Sequence, residues 1–361
     1  KNYALLYVMR DCQAVSWLNW NNMLVTPLVL GLKSSRLDNE EVNLIKKINP
    51  FGVILFSRNI IDKKQLKNYI SDIKKKINPN IHIFIDQEGG DVQRLRTPDW
   101  KNYPSFKKIG EIYSLSNHNA SMLSYCVGRL ISEELMELGI DINCSPCIDI
   151  RKSYTNNFLV NRTFSKNPNI VTTLAQEMIR GFKDSGIIPI LKHIPGHGRA
   201  TIDSHKGLPE VSSELQELLQ DDFITFRELR NVPMAMTAHI KYTKIDNLPA
   251  TFSKKIIQII RENIEFEGVI ISDDINMEAL NGSLERKIID SLDAGCDIVL
   301  HCSGNNLEIA NFIEKIPKID RSLIDKSLDK SKLFQKDEDS MMIDDVINNY
   351  YSILDEYNII L

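Results

Sequence analysis

An excess of positive charge is the first thing this chain lacks: 44 Lys+Arg stand against 48 Asp+Glu, for a formal net charge of -4. A protein that neutralises a phosphate backbone needs the opposite balance, so no nucleic acid is expected as a partner. Cysteine is sparse as well, with six residues (Cys12, Cys126, Cys144, Cys147, Cys296 and Cys302) spread over 361. That density excludes a disulfide framework and favours a reducing compartment, where a thiol in an apolar run acts as a small hydrophobe. Long hydrophobic runs are also missing. The most apolar early stretch, 12–30, is broken by Gln13, Asn19, Asn21, Asn22 and Pro27, too polar and too short for a membrane span. Arg10-Asp11 ahead of this Trp- and Asn-studded run does not make a secretory signal, and residues 1–23 are left unassigned. What is present is ordinary: 43% hydrophobic and 25% charged residues describe a globular chain long enough to bury a large core.

Eight short apolar, β-branched runs recur at 24–31, 52–57, 81–87, 141–150, 187–193, 232–240, 268–272 and 297–302. Between them, 120–138, 169–183, 212–227, 253–263, 284–293 and 306–315 carry apolar residues three and four apart, the helical period. Repeated βα units of this number predict an α/β fold, a (β/α)8 TIM-type barrel over 24–316; doubly wound sheets share the same local grammar. Residues 317–361 are expected to form a helical extension packing on that barrel, after a strongly charged stretch at 330–339. No second catalytic domain is visible.

In such a barrel the carboxyl ends of the strands surround the substrate, so a polar residue just after an apolar run is a candidate for chemistry. Seven of the eight runs end that way: Ser57-Arg58, Asp86-Gln87-Glu88, Asp149, Lys192-His193, His239, Asp273-Asp274 and His301-Cys302. Residues 193–205 hold three of the seven histidines (His193, His197, His205) beside Pro195, Gly196 and Gly198. Asp203, two positions before His205, is placed to orient that imidazole and favour its protonated form, making an acid-base pair. At the seventh run, one of Asp273 and Asp274 can cap the following turn, but both cannot. A carboxylate kept ionised there by cations such as Lys192 and Arg162 is available as a nucleophile.

Four runs, in order, resemble the β-N-acetylhexosaminidases of glycoside hydrolase family 3. They are Asp86-Gln87-Glu88-Gly89-Gly90 with Val92-Gln93-Arg94, then Asn161-Arg162-Thr163-Phe164, then Lys192-His193-Ile194-Pro195-Gly196-His197-Gly198 with Asp203-Ser204-His205, then Ser272-Asp273-Asp274-Ile275-Asn276-Met277. More narrowly, the chain resembles the bacterial cytoplasmic single-domain type that serves peptidoglycan recycling. The resemblance implies Asp273 as nucleophile and His205 as acid/base supported by Asp203. It implies Asp86, Arg94, Arg162, Lys192 and His193 as the residues that hold the terminal N-acetylglucosamine. The expected partner is a small carbohydrate, an N-acetylglucosaminyl muropeptide, acted on by a monomer with no cofactor and no metal. Asp91 departs from the arginine usual after the paired glycines. Cys144 and Cys147 sit within the retained Asn143, Pro146 and Asp149 pattern of the fourth strand, which makes their C-x-x-C spacing incidental.

The expected reaction is double displacement with net retention. Asp273 attacks the anomeric carbon, and His205 protonates the leaving oxygen and then takes a proton from water. A neutral imidazole base does not repel an anion, which leaves phosphate open as an alternative acceptor. From a different class, a metal-dependent barrel hydrolase would use Lys192, His193, His197, His205, His239 and Asp273 as ligands. Against it, the first run ends in Leu30-Gly31 without the His-x-His of such barrels, and no H-E-x-x-H face is present. His239 is expected to line the pocket, His301 to touch substrate or simply end its strand, His82 to be buried in its strand and His118 to be exposed. The pairs Trp17/Trp20 and Tyr350/Tyr351 are assigned to packing.

Overall fold

The computed structural model describes residues 24–328 and 340–361; Cys12, Trp17, Trp20 and the charged stretch 330–339 lie outside the described residues. Eight parallel strands form the centre: β1 (Leu24–Gly31), β2 (Pro50–Leu55), β3 (His82–Ile85), β4 (Ile142–Asn143), β5 (Ile188–Ile194), β6 (Met234–Thr237), β7 (Val269–Asp274) and β8 (Ile298–His301). Each pairs with its sequence neighbour, and β8 pairs back onto β1 (Leu28 with Val299, Leu30 with His301), which closes the barrel. Helices cover the outside, among them α1 (Asn39–Ile48), α2 (Lys63–Lys76), α3 (Phe106–Tyr113), α4 (Asn117–Leu138), α5 (Pro168–Asp184), α6 (Lys254–Glu262) and α7 (Leu284–Ala294). Their starts are written in the sequence. The side chains of Asp38, Asp62, Ser105, Ser116, Asn167, Ser253 and Ser283 each accept from a free amide of the first turn.

Strand side chains alternate, and the alternation splits the core in two. Phe84, Ile188, Ile190, Met234, Met236, Val269, Ile271, Ile298 and Leu300 form an interior cluster. Ile83, Ile85, Leu191, Ala235, Ile270 and Val299 point outward into a larger cluster shared with the helices. The interior is therefore filled rather than open. After β8 the chain makes 3-10 turns at Glu308–Asn311 and Ile313–Lys315, where a helix over 306–315 was expected. The apolar residues Ile309, Phe312 and Ile316 recur near every third position, the period of the tighter turn. Residues 212–227 likewise hold two short helices, Leu215–Gln220 and Ile224–Glu228, and not one. Asp221 and Asp222 between them bind Lys152 and Arg199.

Ile319–Asp320 pairs antiparallel with the start of β1, and Ile324 and Leu328 join the interior cluster, closing the amino-terminal end of the barrel. A last helix, α8 (Ile343–Glu356), buries Val346, Tyr350, Ile353 and Leu354. The Tyr350 hydroxyl donates to the Asn102 carbonyl at 3.1 Å. A cavity of about 690 Å³ lies between α4, α8 and the loop at 97–102, lined in part by Trp100, Glu134 and Tyr351. No helix among the described residues is long and apolar enough to cross a membrane.

Candidate active site

The alternation that fills the barrel also sets what stands at its mouth. On β7, Val269 and Ile271 point inward, the register then shifts, and Asp273 stands beside His193 of β5. On β5, Lys192 continues the inward series from Ile188 and Ile190, and Asp86 follows Phe84. A carboxylate and a cation thus replace apolar side chains at the last inward layer.

Asp86 accepts from Lys192 Nζ at 3.1 Å through one oxygen and from Arg94 Nη2 at 3.0 Å through the other. Burial opposes its ionisation, but Lys192 and then Arg94 outweigh burial and hold the carboxyl below the usual carboxylate range. Arg94 comes back over the site because Gln87–Gly89 and Val92–Gln93 form a small hairpin. The hairpin turns through Gly89 (φ 106°) and Gly90 (φ 57°), left-handed conformations that suit glycine. The Gln87 side chain accepts from the amides of Arg94 and Leu95 and so fixes the return.

Glu88 joins Arg162 to the same network. It is 1% exposed, and its carboxylate takes Arg162 in a two-pronged pair at 2.8 and 3.0 Å and Lys192 Nζ at 2.7 Å. Arg162 is therefore a partner of Glu88, where the sequence suggested that it would help to ionise Asp273. Glu88 itself was missed as a site residue, although it lies inside the strand-end run that supplied Asp86.

The two consecutive carboxylates of β7 divide their roles. Asp274 Oδ1 accepts from the Asn276 amide and side chain and from the Cys302 amide, which makes it the turn residue. Asp273 faces His193, whose Nε2 is 4.0 Å from its Oδ2, and takes the Asp274 amide at 2.7 Å. Burial alone would raise the Asp273 carboxyl. His193, His239, the Asp274 amide and Lys192 together bring it below its ordinary value.

His193 is held from behind by Asp149, which is fully buried and 2.8 Å from Nδ1. Asp149 was read in the sequence only as part of a strand pattern. Burial works against its charge, yet the His193 hydrogen bond and the neighbouring imidazoles bring its carboxyl down to about 2. Cys147, Asp149 and His193 offer ligand-type atoms within 4.8 Å of one another. The thiol and the imidazole both turn to the carboxylate (Sγ to Oδ2 3.2 Å), so the three form a hydrogen-bonded group.

The remaining pair stands at the rim. Asp203 Oδ1 lies 2.9 Å from His205 Nδ1 and also accepts the His205 amide at 3.0 Å. Burial nudges Asp203 upward, but these bonds bring it below its usual value. The His205 side chain is 64% exposed. Two connections bring this loop to the end of the barrel that holds Asp273. The Ala279 amide, just past β7, donates to the Ser204 carbonyl at 3.2 Å. Ring contacts run from His205 to Phe158, from Phe158 to His197 and from His197 to His193. His197 is 1% exposed with neither ring nitrogen hydrogen-bonded, and burial, then His193, press it down to about 4, so it sits there as a neutral packing ring.

Three other histidines have their ring nitrogens taken up by the framework. His239, expected to line the pocket, is fully buried with Nδ1 on Thr251 Oγ1 (2.7 Å) and Nε2 on the Asp274 carbonyl (3.0 Å), so it braces the end of β7. His301 is 2% exposed and engaged by Asn276 and Ser303, a strand-end role. His82 lies at the opposite end of the barrel against Asp325.

Ionised carboxylates beside fixed cations, with a separate Asp/His pair at the rim, form an arrangement that can grip hydroxyls and divide nucleophilic from proton-transfer work. A beta-hexosaminidase from Alkalilimnicola ehrlichii is 36% identical over 308 residues, 84% of this chain and 86% of that protein. One from Neisseria meningitidis serogroup B is 36% identical over 288 residues, 78% of this chain and 79% of that protein. The crystal structure of native NagZ from Neisseria gonorrhoeae superposes with a TM-score of 0.80 at 30% identity, covering 92% of this chain and 98% of that one. The same enzyme in complex with N-trifluoroacetyl-D-glucosamine matches equally well. Residues 21–331 match the glycosyl hydrolase family 3 N-terminal domain, and the chain belongs to that family as a glycoside hydrolase built on a (β/α)8 barrel.

Proposed function

We propose that the protein is a retaining exo-β-N-acetylglucosaminidase that removes a terminal β-linked N-acetylglucosamine from peptidoglycan fragments. The relatives carry the name beta-hexosaminidase, and one of them binds an N-acylated glucosamine. Asp273 is the nucleophile, and its ionised state follows from the imidazoles and Lys192 that face it. His205 donates its proton to the leaving oxygen and later takes one from water, with Asp203 holding Nδ1 so that Nε2 is the working nitrogen. Asp86, Arg94, Lys192 and His193 hold the sugar hydroxyls. Arg162, braced by Glu88, joins them in holding the terminal sugar.

The observation that carries this reading is the placement of Asp273 beside His193 at the end of β7 while Ser204 of the His205 loop is bonded to Ala279 just beyond that strand. This contact supports a common end of the barrel for Asp273 and His205, 68 positions apart in sequence. No step needs a cofactor. The protein acts as a monomer in the cytoplasm, in keeping with five described cysteines that are all unpaired. Residues 24–316 are the catalytic unit and 317–361 a packing extension.

The test is proton NMR of the first-formed sugar released from an aryl β-N-acetylglucosaminide, with the Asp273→Asn variant beside it. A β-anomer, lost with Asp273→Asn, is the expected result. An α-anomer, or turnover that survives the substitution, would remove the nucleophile from the scheme. Repeating the assay in phosphate identifies the acceptor: free sugar is expected, and a sugar phosphate would make the enzyme a phosphorylase.

A further inference from the structure

We propose that Asp149 is a positioning residue for both halves of the reaction: one buried carboxylate fixes the imidazole that faces Asp273 and pins the start of the loop that carries His205. The inference rests on the function proposed above and adds to it a residue that touches no substrate.

Asp149 is 0% exposed, and every lone-pair direction of its carboxylate is in use. Oδ1 accepts the His197 amide at 2.6 Å, and Oδ2 lies 2.8 Å from His193 Nδ1 and 3.2 Å from Cys147 Sγ. The His193 amide lies between the two oxygens, at 3.3 and 3.2 Å. With Asp149 as acceptor, the Nδ1 proton of His193 is set and Nε2 is turned to Asp273. The bond to the His197 amide acts on a different element, the first turn of the 195–207 loop. That turn is laced to the segment after β4 by Asn156 N–H to the Ala200 carbonyl (3.2 Å) and by the Thr155 hydroxyl to the Gly198 carbonyl.

An amide in this place cannot serve both sides, because it has one acceptor oxygen and a donating NH2. With its oxygen toward His193, the NH2 meets the His197 N–H and the loop is released. With its oxygen toward His197, the NH2 meets His193 Nδ1, which must give up its proton and move it to Nε2. Either outcome disturbs the reaction although Asp149 itself touches no substrate.

The test uses the whole chain with Asp149→Asn and an aryl β-N-acetylglucosaminide across pH. A fall in kcat/KM of roughly 10- to 100-fold is expected, the scale of losing an orienting partner. The acid limb should also move, because the tautomer and aim of His193 Nε2, 4.0 Å from Asp273, set how readily that carboxylate is protonated. The groups facing Asp273 are Lys192 and His193 on β5, His197, His239 after β6, Cys144 after β4 and Cys302 after β8. Only His193 and His197 touch Asp149. A lowered rate with an unmoved acid limb would make Asp149 a merely structural residue, and unaltered kinetics would overturn the inference outright.

Should Asp149→Asn fail to fold, proton NMR of the unsubstituted enzyme decides. A strongly downfield imidazole N–H proton that disappears in His193→Gln is expected, and its absence would overturn the proposal. An active Asp273→Asn would sink the functional reading itself. An inactive Asp273→Asn beside an unshifted Asp149→Asn profile sinks only this inference.

Discussion

Glu88→Gln tests whether the sugar-gripping cations are held by burial and charge balance. Three carboxylates (Asp86, Glu88, Asp273) stand among three cations (Arg94, Arg162, Lys192), and Glu88 alone bridges Arg162 to Lys192. Its side chain is 1% exposed, with Lys192 at 3% and Arg162 at 11%, so water cannot replace the lost charge. Removing one partner of a buried ion pair costs about 3–5 kcal/mol. An unfolding entropy near 2.1 cal/mol/K per residue gives about 0.76 kcal/mol/K for a chain of this length, so the midpoint should fall by about 4–7 °C. Glutamine keeps the volume and one acceptor, which favours the lower end. Because Arg162 loses its two-pronged brace, kcat/KM should fall by roughly 10- to 100-fold. Calorimetry and steady-state kinetics on the aryl glycoside measure both, with Asp91→Asn at the exposed hairpin turn as a control expected to be silent in stability. A midpoint within about 1 °C of the parent, with unchanged kcat/KM, would refute the reasoning.

Asp203→Asn should lower kcat/KM for a substrate with a poor leaving group, since His205 loses the acceptor that holds its Nδ1; steady-state kinetics check it, and an unchanged value would remove Asp203 from the scheme. Gly198→Ala should displace the loop, because an added Cβ would stand 1.8 Å from the Ile150 carbonyl oxygen, a backbone atom with no rotamer to yield. A cost of about 1–3 kcal/mol and a loss of activity larger than that of Lys206→Ala are expected. Acid should weaken the fold through Asp86, Glu88 and Asp149, whose carboxyls are all held low. Such groups contribute stability that is complete above the unfolded value near 4 and is lost as pH falls through the folded values, so melting midpoints should drop from about pH 4 downward.

The barrel was legible because its signals are local. A run such as Ile187 to Leu191 needs no distant partner to announce a buried strand, and the strand-end rule then picks out Asp86, Lys192 and Asp273. Whether Asp273 or Asp274 faces the mouth does not follow from alternation, because the register of β7 shifts between Ile271 and Asp274; their partners decide it, His193 for Asp273 and the Asn276 and Cys302 amides for Asp274. What stayed hidden depends on long-range pairing. Nothing near Glu88 in sequence says that it will meet Arg162, 74 positions away, and nothing near Asp149 names His193 or His197 as its donors. His239 misled for the same reason. A polar residue at a strand end can serve the substrate or the neighbouring strand, and only the Asp274 carbonyl 3.0 Å from its ring decides between them.

The site contains two Asp/His pairs of opposite character, and their difference has a physical consequence. The Asp149/His193 pair is sealed, bonded to the backbone amides of His193 and His197 and so fixed relative to β5. Asp203/His205 is open to water, with the His205 side chain 64% exposed. A group that must meet both a departing sugar oxygen and an incoming water has to stand where each can arrive, which burial would forbid. A group that sets the charge state of a nucleophile has to stay dry, because the effect of a neighbouring charge fades in water. The proposed roles therefore predict that substitutions in the sealed pair alter both glycosylation and deglycosylation, whereas those in the open pair act on proton transfer alone. Substrates with good leaving groups, which need no proton from His205 to depart, should lose sensitivity to Asp203→Asn in kcat/KM while keeping the part of the Asp149→Asn effect that acts through His193.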